Sequence, residues 1–247
     1  MRRLLIAASL VVAALGITAG AALAGGTKTS VIYDSSAKNG PPSNLPSAGP
    51  EAYAFSKMYE GITFAGGPRK LSNVTVTLSS WACVSGTWFA GDCSTPAGAT
   101  FSQPVTLEIY DSTGTSLLAS STQTFNVPYR PSASPKCGDG RWYSSGLKQC
   151  FNGLADDVTF GFSGNVTLPD SVVYAISYNS THYGPNPIGE SASCFGTVAG
   201  CPYDSLNIAL STSPSIGTLS PSYTGTAETL FGPGYTPAVQ FKAAGGS

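Results

Sequence analysis

The sequence predicts an all-β protein, folded as a single antiparallel β-sandwich of jelly-roll type with two long disulfide-stapled loops. Apolar and polar residues alternate over Leu71–Trp81, and the same alternation returns in several later segments. No long stretch shows helical spacing of its apolar residues. Glycine (29) and proline (18) are abundant, as expected where turns join many short strands.

The segment Leu71–Trp81 is the clearest predicted strand. Val74, Val76 and Leu78 fall on one face, so we expect this face to point into the core. A helix of no more than one or two turns is compatible with Pro50 to Met58, with proline at its first position. Further segments share the strand period, before Val239 and Phe241 close the chain: Val31–Tyr33, Pro104–Tyr110, Leu117–Val127, Val158–Phe162, Val172–Tyr178 and Leu206–Leu210.

The first 24 residues have the pattern of a signal peptide. Arg2 and Arg3 precede an apolar stretch over 4–15, and Ala22-Leu23-Ala24 fits a cleavage site. We therefore expect a secreted, extracellular protein with no membrane contact after cleavage. The alternative is an uncleaved anchor, because residues 4–24 are just long enough to span a bilayer.

The rest of the chain is predicted to form one domain. Residues 25–50 are assigned to an N-terminal strand and a Pro/Ser/Gly-rich arm, 51–242 to the sandwich and 243–247 to a flexible tail. Only 10% of the residues are charged and no basic patch is present, so nucleic acid is not an expected partner. The single histidine, His182, excludes a multi-histidine metal site and is interpreted as a surface residue.

Six cysteines fall into three couples with short internal spacing. Although six cysteines allow 15 connectivities, the short spacing favours three local disulfides, and export favours their formation. A zinc site is the alternative, and the absence of Cys-x-x-Cys spacing argues against it. The predicted bridges are Cys83–Cys93, Cys137–Cys150 and Cys194–Cys201.

The long loop over 128–157 is the best candidate for a ligand site. Sugar binding needs a flat apolar ring and planar hydrogen-bonding groups, which aromatic, carboxylate and guanidinium side chains supply. The alternative is structural: Trp142 would plug the loop onto the sandwich while Asp139 and Arg141 pair locally. The predicted ligand-binding residues are Asp139, Arg141, Trp142, Tyr143 and Trp88.

No catalytic residue, metal ligand or cofactor is predicted. A Gly-x-Ser-x-Gly motif is absent, and no spacing singles out the two carboxylates that a glycosidase requires. Asp156 and Asp157 precede a predicted strand, where two carboxylates could ligate calcium with backbone carbonyls, but such a pair is more often a solvated turn.

Three stretches carry a resemblance to known proteins: residues 66–81 (GGPRKLSNVTVTLSSW), 125–133 (FNVPYRPSA) and 168–179 (LPDSVVYAISYN). They resemble a group of uncharacterised secreted bacterial proteins, whose layout is similar to the β-sandwich ectodomains called choice-of-anchor proteins. The resemblance implies a strand framework for most of the chain. It brings no catalytic or binding residues with it.

These observations predict a secreted, non-catalytic protein that binds an extracellular ligand, with carbohydrate as the candidate. The expected partner is an extracellular glycan or a cell-surface component. Two alternatives stay open: a structural or surface-interaction protein without a small-molecule site, and a carbohydrate-active hydrolase.

Overall fold

A computed structural model describes residues 28–36, 46–88, 90–162, 166–179 and 206–245. The signal segment, His182 and the Cys194–Cys201 couple lie outside these ranges. The strands are β1 (Thr29–Asp34), β2 (Ser47–Ala48), β3 (Met58–Thr63), β4 (Lys70–Ser80), β5 (Thr100–Tyr110), β6 (Leu117–Pro128), β7 (Trp142–Ser144), β8 (Gln149–Phe151), β9 (Leu154–Gly161), β10 (Ser171–Ser177), β11 (Leu206–Thr212), β12 (Thr218–Leu219), β13 (Tyr235–Pro237) and β14 (Val239–Ala244). The helices are α1 (Pro50–Tyr53) and α2 (Thr226–Phe231).

The all-β class is confirmed, and the pairing is antiparallel throughout the described residues. One sheet has the order β12-β3-β10-β5-β6. The other has the order β1-β14-β4-β11-β13, with β9 along β4 and β2 beside β11. The chain passes from one sheet to the other at β2–β3, β3–β4, β4–β5, β9–β10, β10–β11, β11–β12 and β12–β13, and again between β6 and β9. The jelly-roll detail stays a prediction. Neither helix is long and apolar enough to cross a membrane in the part of the chain described.

A single hydrophobic core lies between the two sheets. Val74, Val76 and Leu78 of β4 are fully buried in it, as the alternation predicts. Phe125 of β6 meets Phe160 of β9 with ring centroids 5.1 Å apart, so the core joins both sheets. Each fully buried side chain of this kind contributes about 1.5–3 kcal/mol. Because β4 pairs with β9, β11 and β14, its apolar face organises the larger sheet.

The outer faces of the two sheets carry hydroxyl side chains in cross-strand pairs. The Thr75 and Thr159 hydroxyl oxygens lie 2.9 Å apart on the larger sheet. Thr106 and Thr122 form the equivalent pair on the smaller sheet at 2.8 Å. These pairs occupy the polar positions of the alternating pattern, whose period of two is set by the strand pleat.

Several strands extend further than the sequence predicts, β5 by four residues at its start, and two of these extensions bear on other assignments. The β9 strand begins at Leu154 instead of Val158, because its first residues pair with the end of β4. The acidic residues at 156–157 interrupt the apolar alternation, so the sequence does not indicate this earlier start. The β14 strand continues to Ala244, and Ala243 is fully buried opposite Leu71, so the predicted tail at 243–247 begins too early.

The helices also differ from the prediction. The helix compatible with 50–58 forms only as the single turn α1, because Ala54 adopts the left-handed conformation (φ 55°) and ends it. Met58 then begins β3. The second helix, α2, was not predicted, since a six-residue helix offers too little periodicity to recognise.

Candidate functional site

The two disulfide-stapled loops leave the same end of the molecule. Ser80, the last residue of β4, pairs with Leu154, the first residue of β9. Thr100 at the start of β5 pairs with Pro128 at the end of β6. Segments 81–99 and 129–153 therefore emerge together, and we call them the stapled end.

Two of the three predicted disulfides are confirmed here. Cys83 joins Cys93 with a Cα–Cα distance of 5.4 Å, and Cys137 joins Cys150 at 5.9 Å. The two segments also bond to each other, since the Ala133 amide donates to the Cys93 carbonyl at 2.9 Å. The stapled end is thus one connected unit, and by the loop-entropy account each bridge contributes about 2–3 kcal/mol.

The predicted site residues Trp142 and Tyr143 lie on opposite faces of the β7–β8 hairpin. Trp142 faces inward and is only 5% exposed, with its ring stacked on Phe151 at 5.0 Å. Its indole nitrogen donates to the Gly153 carbonyl at 3.0 Å. Adjacent strand residues point to opposite faces, so Trp142 packs the loop while Tyr143 faces outward. Trp142 therefore presents no ring face to a ligand in this arrangement.

Tyr143 lies on the outward face of the hairpin, and Arg141 and Asp139 lie in the segment that leads into β7. Tyr143 is half-buried, and the Lys136 ammonium lies 5.0 Å from its ring centroid in a cation–π contact. Arg141 donates from Nε to the Gly138 carbonyl at 3.3 Å. Asp139 is exposed and has a left-handed backbone (φ 59°).

The local Asp139–Arg141 ion pair considered in the sequence is absent from the described residues. The ion pairs found there are Lys57–Glu108 and Arg69–Asp170, which involve neither side chain. The carboxylate of Asp139 and most of the guanidinium of Arg141 therefore stay available to a ligand.

Trp88 packs within the stapled end. It is half-buried, and its ring meets Trp81 edge-on with centroids 4.7 Å apart. Trp81 in turn donates from its indole nitrogen to the Ser79 hydroxyl at 3.2 Å. A Cβ at Gly153 would lie 2.6 Å from that same nitrogen, so this site accepts only glycine without displacement. Trp88 therefore packs against Trp81 within the stapled end.

Arg130 is a central residue of the stapled end that the sequence did not single out. Its side chain is almost fully buried, and Nη2 donates to the Gly140 carbonyl at 2.6 Å. Burial lowers its pKa to about 10, which still leaves it charged at neutral pH. Gly140 packs directly on Gly91, where a Cβ would come within 2.3 Å of the Gly91 Cα. Arg130 therefore fixes the hairpin against the first stapled loop; its place between two prolines gave no signal of burial.

The Asp156–Asp157 pair is not arranged to bind calcium. Both residues lie within β9, and their side chains point to opposite faces. Burial, with a smaller contribution from the charge of Asp157, raises the pKa of Asp156 to about 6. Asp157 accepts a hydrogen bond from the Thr77 hydroxyl at 2.6 Å. Among the described residues, no group of three or more His, Cys, Asp or Glu side chains has the geometry of a metal site.

Comparison with known proteins adds no relatives. No protein family, curated protein or solved structure gives a significant match to this chain. The resemblance to choice-of-anchor ectodomains therefore stays an expectation, and the function is argued from the site alone.

Proposed function

We propose that this protein is exported and binds an extracellular glycan, without catalysis, through the outward face of the β7–β8 hairpin. The observation that carries the proposal is the division of the hairpin into two faces. Trp142 is buried on one face and Tyr143 lies on the other, while Asp139 and Arg141 lie in the segment that leads into β7. Trp88 has a supporting role, since it packs beside Trp81.

The outward groups suit a glycan. A tyrosine ring offers a flat apolar surface to the C–H face of a sugar, and the planar guanidinium and carboxylate groups hydrogen-bond to its oxygens. Residues 136–150 contain three basic side chains, Lys136, Arg141 and Lys148, and one carboxylate, Asp139. This excess of positive charge favours a glycan that carries anionic groups.

The anchored scaffold also supports a binding role. The Trp142–Phe151 stack holds the two strands of the hairpin together. The Cys137–Cys150 disulfide and the Arg130 hydrogen bond to Gly140 tie the hairpin to the rest of its segment. A surface fixed before binding loses less conformational entropy when the ligand arrives.

Export is supported by two features. The disulfides indicate an oxidising environment such as the cell exterior, and the first 24 residues have the pattern of a signal peptide. Secretion follows as part of the proposal.

Binding to immobilised acidic polysaccharides, with polygalacturonate and alginate as probes and starch as the neutral comparison, tests this function. Tyr143→Ala and Arg141→Ala should each weaken binding to an acidic polymer by about tenfold or more, as expected at a binding hot spot. Tyr59→Ala and Lys242→Ala are the matched controls, because both residues lie on the sheets. Unchanged binding by the hairpin variants, or no binding by the wild type, overturns the proposal.

A structural or surface-interaction role is the second candidate. Its support is that Trp81 and Trp142 are both used for packing, while the outer sheet faces are covered by paired threonines. In that case none of the polysaccharides binds. The Asp156–Asp157 pair gives no support to a hydrolase, because these neighbouring carboxylates point to opposite faces and cannot flank one bond.

A further inference from the structure

A hollow of about 590 Å³ lies at the end of the molecule opposite the stapled end. It is bordered by the end of β3, the start of β10 and the turn between β5 and β6. The segment 220–225, which follows β12, forms its remaining wall, and we call this segment the strap. The lining residues are Thr63, Ser112, Thr113, Ser171, Ser220, Pro221 and Ser222.

The lining of the hollow is rich in hydroxyl groups and carries no charge. Six of the seven lining residues are serine or threonine, and the seventh is Pro221. The Thr63 and Ser171 hydroxyl oxygens lie 2.9 Å apart and bond to each other. Each hydroxyl both donates and accepts, so the surface matches a ligand that also carries hydroxyl groups.

The carboxylates next to the lining residues in sequence are both engaged elsewhere. Asp170 accepts from Arg69 at 3.0 Å. Asp111 accepts from the backbone amides of Thr113, Thr115 and Ser116 at 3.0–3.3 Å. Hydrogen bonds from the Thr113 hydroxyl and these amides lower the pKa of Asp111 to about 2. The turn that carries Ser112 and Thr113 is therefore held in place, and its charge is already satisfied.

The strap is held in place by two close contacts with glycines. The Ser220 amide donates to the Gly61 carbonyl at 2.8 Å. A Cβ at Gly61 would lie 2.6 Å from the Tyr223 Cβ, and one at Gly114 would lie 3.3 Å from the Tyr223 ring. Tyr223 thus spans from β3 to the β5–β6 turn. Both walls of the hollow are fixed without a disulfide.

We infer that this hollow is a second binding site, and that it takes a neutral polyhydroxy ligand such as a mono- or disaccharide. Its size is within the roughly 300–1,000 Å³ range of small-molecule sites. The six hydroxyls supply acceptors and some donors, since Thr63, Ser171 and Thr113 also bond within the wall. The Pro221 ring offers a small apolar surface. An anionic ligand would find no positive charge among the lining residues to offset its loss of hydration.

Amide NMR titration of the isotope-labelled protein tests the inference. The neutral probes are cellobiose, maltose and N-acetylglucosamine at about 10 mM, well above a millimolar Kd; glucuronate and glucosamine are the charged comparisons. We expect at least one neutral sugar to shift the amides of Thr63, Ser171 and Ser222. The anionic sugar, glucuronate, should bind at least about tenfold more weakly.

Ser222→Trp, which fills the hollow from its exposed rim, should abolish these shifts. Ser120→Trp on the exposed face of β6 is the matched control and should leave them unchanged. Tyr143→Ala should also leave them unchanged, which separates this site from the hairpin. The inference is overturned if no neutral sugar shifts the hollow, if Ser222→Trp retains the shifts, or if glucuronate binds as well as its neutral counterparts.

Discussion

The two ends of this molecule are ordered by different means and display different chemistry. The stapled end uses two disulfides, the buried ring of Trp142 and the buried guanidinium of Arg130, and it displays charged and aromatic groups. The opposite end uses the Asp111 turn and the Gly61 and Gly114 contacts, and it displays hydroxyl groups. Segments 81–99 and 129–153 are long, so ordering them costs more conformational entropy than ordering a six-residue turn. That cost explains why the long segments bury anchors of their own and the short turn needs only local hydrogen bonds.

The largest expected effect separates the two faces of the hairpin. Trp142→Ala removes a buried, stacked and hydrogen-bonded ring, and should lower the free energy of unfolding by about 3–5 kcal/mol. Tyr143→Ala removes an outward ring and should cost less than about 1 kcal/mol. Urea denaturation of the two variants measures both. Equal losses would mean that the two faces are not distinct.

Removal of the Cys137–Cys150 disulfide tests how much this bridge contributes to the stability of the protein. The Cys137→Ala/Cys150→Ala double variant should lower stability by about 3 kcal/mol, because it releases the hairpin loop in the unfolded chain. The melting temperature and the NMR shifts of the hollow are the readouts. The melting temperature should fall while the amides of Thr63 and Ser171 keep their positions; movement at the hollow would contradict the independence of the two ends.

A buried acid beneath the strap makes the hollow end sensitive to pH. Glu60 is fully buried and lies against Gly225; burial raises its pKa to about 8, with the charge of Glu228 adding to the shift. Tyr33, Tyr174 and Thr236 face the same group. The folded state therefore keeps a proton that the unfolded state has lost above pH 4.5. Stability from this group is full below about pH 4.5 and is lost as pH rises to about 8.

Glu60→Gln is the variant that isolates this effect. It should remove about 3–4 kcal/mol of the decline in stability between pH 5 and pH 8, because the amide cannot ionise. Urea denaturation across that range compares it with the wild type. Asp156, whose pKa is raised to about 6, leaves a smaller residual slope in the same direction. A slope identical to that of the wild type would show that Glu60 ionises freely in the folded state.

The smallest effect concerns the wall of the hollow. Asp111→Ala removes the acceptor that orders the β5–β6 turn and should weaken sugar binding in the hollow a few-fold with little change in melting temperature. NMR titration with the best neutral probe measures this. Asp139→Ala, at the other end, should have no effect on that titration, and a comparable loss with both variants would argue against a local role for Asp111.

The sequence predicts the strand framework better than it predicts the site. The period of two placed Val74, Val76 and Leu78 in the core, and short spacing identified the Cys83–Cys93 and Cys137–Cys150 bridges. Local pattern could not decide between the adjacent rings of Trp142 and Tyr143, because their faces depend on packing against distant segments. The hollow could not be predicted for the same reason: its lining residues are distant in sequence and come together only in the folded chain, as do Thr63, Ser112, Ser171 and Ser220.

Hydrogen–deuterium exchange with added polysaccharide tests the central claim most directly. The claim is that the charged, anchored hairpin binds a glycan with anionic groups. With polygalacturonate present, the account predicts slower amide exchange over residues 136–150 and unchanged exchange over 111–116 and 220–225. Unchanged exchange over 136–150 under conditions where polygalacturonate is bound would contradict it.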